Sequence, residues 1–248
     1  MGDANALDQE LRGKRSPLSS FKAKMGGLDP EQDGPAANLV RILHEDGTYG
    51  DLYFNEAPPP SLHELDTQNL VIHLNSFSKV LAPGLRLGWI CATPSIIDQM
   101  ALIKQRLDPS TQNLVQFAMA RLLREGSFDT HLKTLRAEHA KRCTLMLSAI
   151  QKHAPPGMLR FARPQGGLYL WCRVSRGINA RALLQQSLAR GVAFVPGDAF
   201  YADPAGESEL RLCFSSLVPA AAEDAVKKLA AALQAGGSAV RPELVAIA

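Results

Sequence analysis

The residues with most chemistry to offer lie in one stretch, Asn75-Ser76-Phe77-Ser78-Lys79-Val80-Leu81-Ala82-Pro83-Gly84-Leu85-Arg86-Leu87-Gly88-Trp89. An apolar run, Leu70-Val71-Ile72-His73-Leu74, leads directly into two hydroxyls and a lysine. Open α/β sheets gather their ligands at such carboxyl ends of strands. A lysine after a strand is most often a solvated head group, but its neighbours set Lys79 apart. Pro83 and Gly84 make the turn to Arg86 compliant. Ser76, Arg86 and backbone N–H groups are then suited to a dianionic phosphate, the arginine through its planar fork.

Ser76-Phe77-Ser78-Lys79 also satisfies SxxK, the nucleophile pattern of penicillin-binding proteins. That chemistry needs the serine to open a helix, with companion SDN and KTG elements. Neither tripeptide occurs, and this serine follows a strand. Glu45-Asp46-Gly47-Thr48-Tyr49-Gly50 ends another apolar run, so a tight turn presents Asp46 and Tyr49; a plain capped turn is the competing reading. Arg211 sits inside the alternating strand Glu209-Leu210-Arg211-Leu212-Cys213-Phe214. A solvent-facing edge position would explain it, whereas an arginine among core residues needs an anion such as a substrate carboxylate. Pro164-Gln165-Gly166-Gly167-Leu168-Tyr169-Leu170-Trp171 and Val195-Pro196-Gly197-Asp198-Ala199-Phe200 read as turns beside strands.

These residues need a scaffold, and the composition supplies one. The chain has 248 residues, 46% hydrophobic and 21% charged, which excludes a wholly disordered, collagen-like or coiled-coil chain. Lys+Arg 27 against Asp+Glu 24 leaves +3 with no basic run, so no nucleic-acid partner is implied for this chain. No apolar run spans a bilayer and no signal-like segment opens the chain, which points to a cytoplasmic protein without a membrane partner. Cys91, Cys143, Cys172 and Cys213 show no metal-ligand spacing and read as reduced thiols. Strands are expected at 39–43 (buried, ending at Glu45-Asp46), 70–74, 87–92, 158–162, 168–172, 193–196 and 210–214. Residues 55–68 read as a proline-broken loop with one helical turn. Helices are expected from Pro94, after a cap at Asp108–Thr111, from Ser127 to before Pro155, and over 180–190 and 219–235. The long helix carries Leu132, Leu135, His139, Cys143, Met146 and Ile150 on one stripe. The fold class is therefore α/β, in two layers joined by that helix.

Together the five segments resemble the class I/II, fold type I, pyridoxal-phosphate-dependent aminotransferases, and within them the 2-aminoadipate-type and MocR-like subgroup. SFSKVLAPGLRLGW is similar to the family's lysine signature throughout, and EDGTYGDL, PQGGLYLW, VAFVPGDAF and ELRLCFS follow in the family's order. The resemblance covers about residues 39–236. It implies a mostly parallel large-domain sheet with helices, present in part, and a small C-terminal α/β domain. The domain plan is an unstructured or atypical arm over 1–36, a partial cofactor-binding domain over 37–127, a small domain over 128–237 and a tail over 238–248. It implies pyridoxal 5'-phosphate as cofactor, with Lys79 matching the lysine that forms the Schiff base and moves the Cα proton. Asp46 matches the carboxylate under the pyridinium nitrogen, Tyr49 the partner of the ring oxygen, and Ser76 and Arg86 the phosphate ligands. Arg211 matches the arginine that takes the α-carboxylate of amino-acid and 2-oxo-acid substrates. A homodimer is implied as well, and no metal.

The chain departs from the family at its start. The Gly/Ser-rich phosphate turn, the aromatic residue that stacks on the ring and the NPTG-type segment have no counterpart, and residues 1–36 do not resemble them. The expectation is an N-terminally truncated member with impaired transamination. Its alternatives are a PLP-sensing effector domain of a MocR-like regulator, or an inactive fragment.

Overall fold

The computed structural model describes residues 43–108, 110–175 and 177–238, with side chains to Ala235. The arm expected over 1–36, Leu39–Ile42 of the first expected strand and the tail after Ser238 lie outside the described residues. The chain divides into two compact units. One comprises residues to Asp51 with Ala57–Leu132, the other Leu52–Glu56 with the chain from Lys133 onward.

The first unit is built on three strands, β1 (Leu43–Asp46), β2 (Val71–Ser76) and β3 (Gly88–Cys91), in the order β1-β2-β3. β1 runs parallel to β2, with Asp46 opposite Leu74; β3 returns antiparallel, with Gly88 opposite Ser76. Only Val71 and Ile72 of these strands are buried. Over its described residues β1 alternates between half-buried and exposed positions; Leu39–Ile42, the apolar start of the strand expected over 39–43, lie outside the described residues. The crossover from β1 contains the expected helical turn, α1 (Leu62–Leu65). Ser61 and Glu64 close a reciprocal capping box on it, each accepting from the other's backbone N–H at 3.0 Å. Glu45 of β1 accepts from Leu62 N at 2.6 Å and His63 N at 3.1 Å, tying that turn to the sheet.

Two helices follow, α2 (Pro94–Leu107), entered by Thr93 and Pro94, and α3 (Asn113–Arg124). Asp108 does not cap α3. Its carboxylate is spent on Lys104 Nζ and Thr111 Oγ1, each at 3.1 Å, and Gln112 stands at the N-cap without a side-chain bond. Leu102, Ile103 and Leu107 on α2, and Leu114 and Phe117 on α3, are exposed; Met119 is buried.

The long helix α4 (Ser127–His153) leads into the second unit. There β4 (Leu159–Phe161), β5 (Tyr169–Val174), β6 (Val195–Pro196) and β7 (Glu209–Cys213) form an antiparallel sheet in the order β4-β5-β7-β6. α5 (Ala180–Leu188) is capped by Asn179, whose side chain accepts from Arg181 N and Ala182 N, and α6 (Ala222–Ser238) closes the unit. The period-2 alternation of the strands decides which face is core. Leu170, Cys172 and Val174 of β5 and Leu210 and Leu212 of β7 meet Met146 and Ile150 of α4, Leu183 of α5 and Leu229 and Leu233 of α6. Each such side chain contributes roughly 1.5–3 kcal/mol by leaving water. The Pro164–Gly167 turn docks the segment Leu52–Glu56. Phe54 N donates to Gln165 O at 2.9 Å and Gly167 N to Leu52 O at 2.7 Å, while a Cβ on Gly166 would stand 2.5 Å from Leu52 O.

His139 lies on the apolar stripe of α4, only 7% exposed, and its Nδ1 has no hydrogen-bond partner. Burial, with the nearby Arg142 charge adding to it and Glu138 opposing, holds the imidazole below its ordinary pKa of 6.5. The unfolded chain therefore takes up that proton before the folded chain does. The folded state should keep its full stability above about pH 6.5 and lose some as pH falls below it. Urea denaturation from pH 7.5 to 5 should show a shallower loss for His139→Leu than for the parent; equal slopes would assign the loss to other groups.

Candidate active site

The lysine turn is built by the end of β2. Asn75 Oδ1 accepts from Ser76 N at 2.7 Å, Ser76 Oγ accepts from Ser78 N at 3.1 Å, and Phe77 N donates to Leu87 O at 3.1 Å. Leu81 N and Ala82 N then both return to Phe77 O, at 2.9 and 3.2 Å, which closes the chain around Lys79. The turn is anchored from below by Val80, which is buried and whose carbonyl accepts from His131 Nε2 at 2.8 Å. Phe77 meets Phe128 edge to face at 5.9 Å. Lys79 is half-buried, and among the described residues its Nζ has no hydrogen-bond or ion-pair partner. Gly88 is required opposite Ser76, because a Cβ there would stand 2.9 Å from Asn75 O. The Pro83–Leu85 3-10 turn ends on Arg86 in the left-handed region, φ 50 and ψ 36. An L-residue meets a penalty of roughly 1–2 kcal/mol there, and the guanidinium is left exposed.

The aspartate turn is built by the end of β1. Asp46 Oδ1 accepts from Thr48 N at 3.0 Å and from the Thr48 hydroxyl. The hydroxyl bond first, then the N–H bond, hold the carboxyl below its ordinary pKa, so Asp46 is an anion at neutral pH. Gly50 N closes the turn on Gly47 O at 2.9 Å, and Tyr49 stands 41% exposed. Gly47 rests on the His73 ring, where a Cβ would lie 2.5 Å from Cε1. His73 is itself clamped, its Nδ1 2.8 Å from Glu45 Oε2 and its ring 5.3 Å from that of Trp89.

Parallel pairing of β1 and β2 places Asp46 and Ser76 at the same end of the sheet, and antiparallel β3 starts there just after Arg86. Asp46, Tyr49, Ser76, Lys79 and Arg86 are thus brought together at one sheet end. Asn75, Ser76, Phe77, Trp89, Met119 and Phe128 help line a cavity of about 580 Å³ in the same unit; of the five candidates it touches Ser76 alone. Glu45 and His73, which hold the Asp46 turn, carried no sequence signal, since they meet across strands; the Thr48 bonds are the local cap that the turn itself suggested.

Arg211 belongs to the second unit. β7 lies between β5 and β6, so Arg211 is not on an edge. It faces away from the core and is half-buried. Its guanidinium carbon lies 4.0 Å from the Tyr169 ring centre and 4.6 Å from that of Phe200, within cation–π range. Among the described residues no carboxylate pairs with it.

The chain matches the family model for aminotransferase class I and II over residues 39–229, and it belongs to that family. It is 35% identical to a 2-aminoadipate transaminase of Thermus thermophilus, covering 94% of this chain and 61% of the relative. It is 33% identical to an aromatic-amino-acid aminotransferase 1 of Thermococcus litoralis, covering 76% of this chain and 45% of the relative. The regulator NorG of Staphylococcus aureus is 31% identical over 69% of this chain and 38% of its own length. Among solved structures, LysN, an α-aminoadipate aminotransferase of Thermus thermophilus complexed with N-(5'-phosphopyridoxyl)-L-leucine, superposes with a TM-score of 0.75 at 36% identity, covering 79% of this chain and 51% of that one. The fold is accordingly part of the fold type I transferase fold, and the chain spans from about two-fifths to three-fifths of the length of these relatives.

Cys213 shares the outer face of β7 with Arg211, and Ser215 Oγ and Ser216 Oγ lie 3.3 and 3.4 Å from its sulfur. Burial is the largest single influence and pushes the thiol up, but those hydroxyls and the Ser215 and Ser216 N–H groups together outweigh it and hold its pKa low. Burial raises the Cys172 thiol unopposed, and raises the Cys143 thiol against a smaller pull from the Arg163 charge. Ellman's reagent at pH 7.5 should label Cys213 rapidly and Cys143 and Cys172 only after denaturation. Cys213→Ser should remove one fast-reacting thiol; an unchanged count would mean that the sulfur is shielded.

Proposed function

We propose that this protein is a pyridoxal 5'-phosphate-dependent aminotransferase that moves an α-amino group between an amino acid and a 2-oxo acid. The supporting observation is the gathering of Asp46, Tyr49, Ser76, Lys79 and Arg86 at one sheet end by the pairing of β1, β2 and β3. The donor set suits that cofactor: a cation and hydroxyl for a phosphate, a carboxylate for a ring N–H, a phenol for a ring oxygen and an unpaired amine for an aldehyde. Ser76 and Arg86 would hold the phosphate, and Asp46, already anionic through Thr48, would accept from the pyridine nitrogen. When bound, the cofactor supplies an electron-withdrawing ring that makes the Cα proton of the amino acid acidic. Lys79 supplies the amine that carries that proton, held in reach by the buried Val80 beneath it. Arg211 orients the substrate carboxylate through its fork.

Residues 37–127 are then read as part of the cofactor-binding domain and 128–237 as the small domain. We place the protein in the cytoplasm as a homodimer; among the described residues no helix is long and apolar enough to cross a membrane, and the exposed apolar side chains of α2 and α3 suit a subunit contact. The likeness to NorG favours a second reading, in which the same residues sense the cofactor within a transcription regulator. Turnover of amino acids with 2-oxoglutarate separates the two: it is expected of the enzyme and absent from the sensor.

Incubation with pyridoxal 5'-phosphate followed by borohydride should leave a pyridoxyl group on Lys79, located by peptide mass spectrometry, and Lys79→Ala should abolish it. Labelling spread evenly over surface lysines in both proteins would overturn the assignment. Arg211→Ala should weaken amino- and oxo-acid binding by about 2–5 kcal/mol while cofactor capture persists. Equal loss of both would give Arg211 a role in the fold or at the phosphate instead.

A further inference from the structure

Arg211 shares the outer face of the sheet with an unusual buried charge. Residues two apart on a strand point the same way, so Glu209, Arg211 and Cys213 on β7 stand beside Arg173, Trp171 and Tyr169 on β5, pair by pair. Glu209 is only 5% exposed. Its Oε1 accepts from Arg173 Nη2 at 2.6 Å and Nε at 3.1 Å, and its Oε2 accepts from Tyr201 OH at 2.5 Å. The carboxylate next to Arg211 on the strand is therefore fully engaged elsewhere and leaves the Arg211 guanidinium to an outside anion.

The same bonds fix a loop. Residues 197–206 leave β6, pass over Glu209 and return, with Glu209 N donating to Gly206 O at 2.9 Å. The fit is close: a Cβ on Gly197 would lie 2.5 Å from Glu209 Cβ, and one on Gly206, at φ +76, would lie 2.6 Å from the Tyr201 ring. Arg181 of α5 ties Asp198 down on the same loop. Phe200, directly before Tyr201, is carried by this loop. It remains 46% exposed, yet its ring covers the Arg211 guanidinium and meets Trp171 edge to face at 5.3 Å. A phenylalanine left in water is held there by its neighbours, not by burial of its own.

We propose that Glu209, acting through Tyr201 and with Arg173, is a positioning residue for Arg211: the network holds Phe200 against the guanidinium and withholds the adjacent carboxylate, so that Arg211 is poised for a substrate carboxylate. This rests on the reading of Arg211 given above. Tyr201→Phe deletes one hydroxyl, which unties the loop and frees Glu209 Oε2 to approach Arg211. Phe200→Ala removes the cover and leaves the network whole.

The test is calorimetric titration of the full chain, in saturating pyridoxal 5'-phosphate, with 2-oxoglutarate. Tyr201→Phe and Phe200→Ala should each raise the dissociation constant about tenfold, with the Lys79 pyridoxyl yield close to that of the parent. Phe200→Tyr, which keeps a ring over the guanidinium, should bind like the parent. Adding Glu209→Gln to Tyr201→Phe should recover part of the loss, because the freed oxygen no longer carries charge. Parental affinity in both Tyr201→Phe and Phe200→Ala, with affinity lost in Arg211→Ala, would overturn the network's role and keep that of Arg211. Parental affinity in Arg211→Ala would overturn both.

Discussion

The first unit depends on the parallel ladder between β1 and β2. A ladder four residue pairs long sets Asp46 opposite Leu74 and so carries the aspartate turn and the lysine turn to one end. Register is unforgiving here, because a slip by one residue would turn every side chain to the other face. Glu45 guards against it. Its carboxylate bonds both N–H groups that open α1 and the His73 ring on the neighbouring strand, so helix turn, β1 and β2 meet at one anion. Burial supplies a pull in the pKa of Glu45 opposite to that of its partners, and the partners prevail, keeping it ionised where all three bonds need it. Gly47 can then lie on the clamped His73 ring, and the turn that presents Asp46 follows.

The second unit carries an aliphatic face and a polar, aromatic face on one sheet. Its inner face is aliphatic and buried among α4, α5 and α6, while its outer face holds Tyr169, Trp171, Arg173, Glu209, Arg211 and Cys213. The pair of buried Glu209 with partly exposed Arg173 adds little to stability on balance, because desolvation of the carboxylate offsets the attraction. Arg173 and Glu209 are better understood as setting geometry. They consume a charge that would otherwise compete for Arg211, and they hold a loop whose residues 199–204 are exposed. Aromatic rings beside the guanidinium add attraction without supplying a counter-charge, which leaves its donors available.

Family membership joins the two halves of the reading. The match to aminotransferase class I and II over 39–229 spans both units, including the lysine segment and the Arg211 strand. LysN shares the fold at a TM-score of 0.75 over 79% of this chain. The exposed apolar residues of α2 and α3, and β3 exposed along its whole length, contrast with the closed core of the second unit.

The sequence by itself determined the elements and the candidate residues. The period-2 pattern of 209–213, the apolar run 70–74, the stripe on 127–153 and the lysine segment were all legible, because side-chain periodicity and local turn chemistry act over a few residues. It also singled out Arg211, leaving open whether it faced solvent on an edge or sat among core residues; the structure turns it away from the core on an interior strand. Tertiary structure alone decided that β1 and β2 run parallel, that Arg211 lies on an interior strand between aromatic rings, and that Asp108 serves α2 instead of capping α3. It also supplied His73, Tyr201 and Glu209 as the groups that hold the candidates in place. Their partners are set by strand register and loop return, and those depend on which surfaces come together, not on neighbours along the chain.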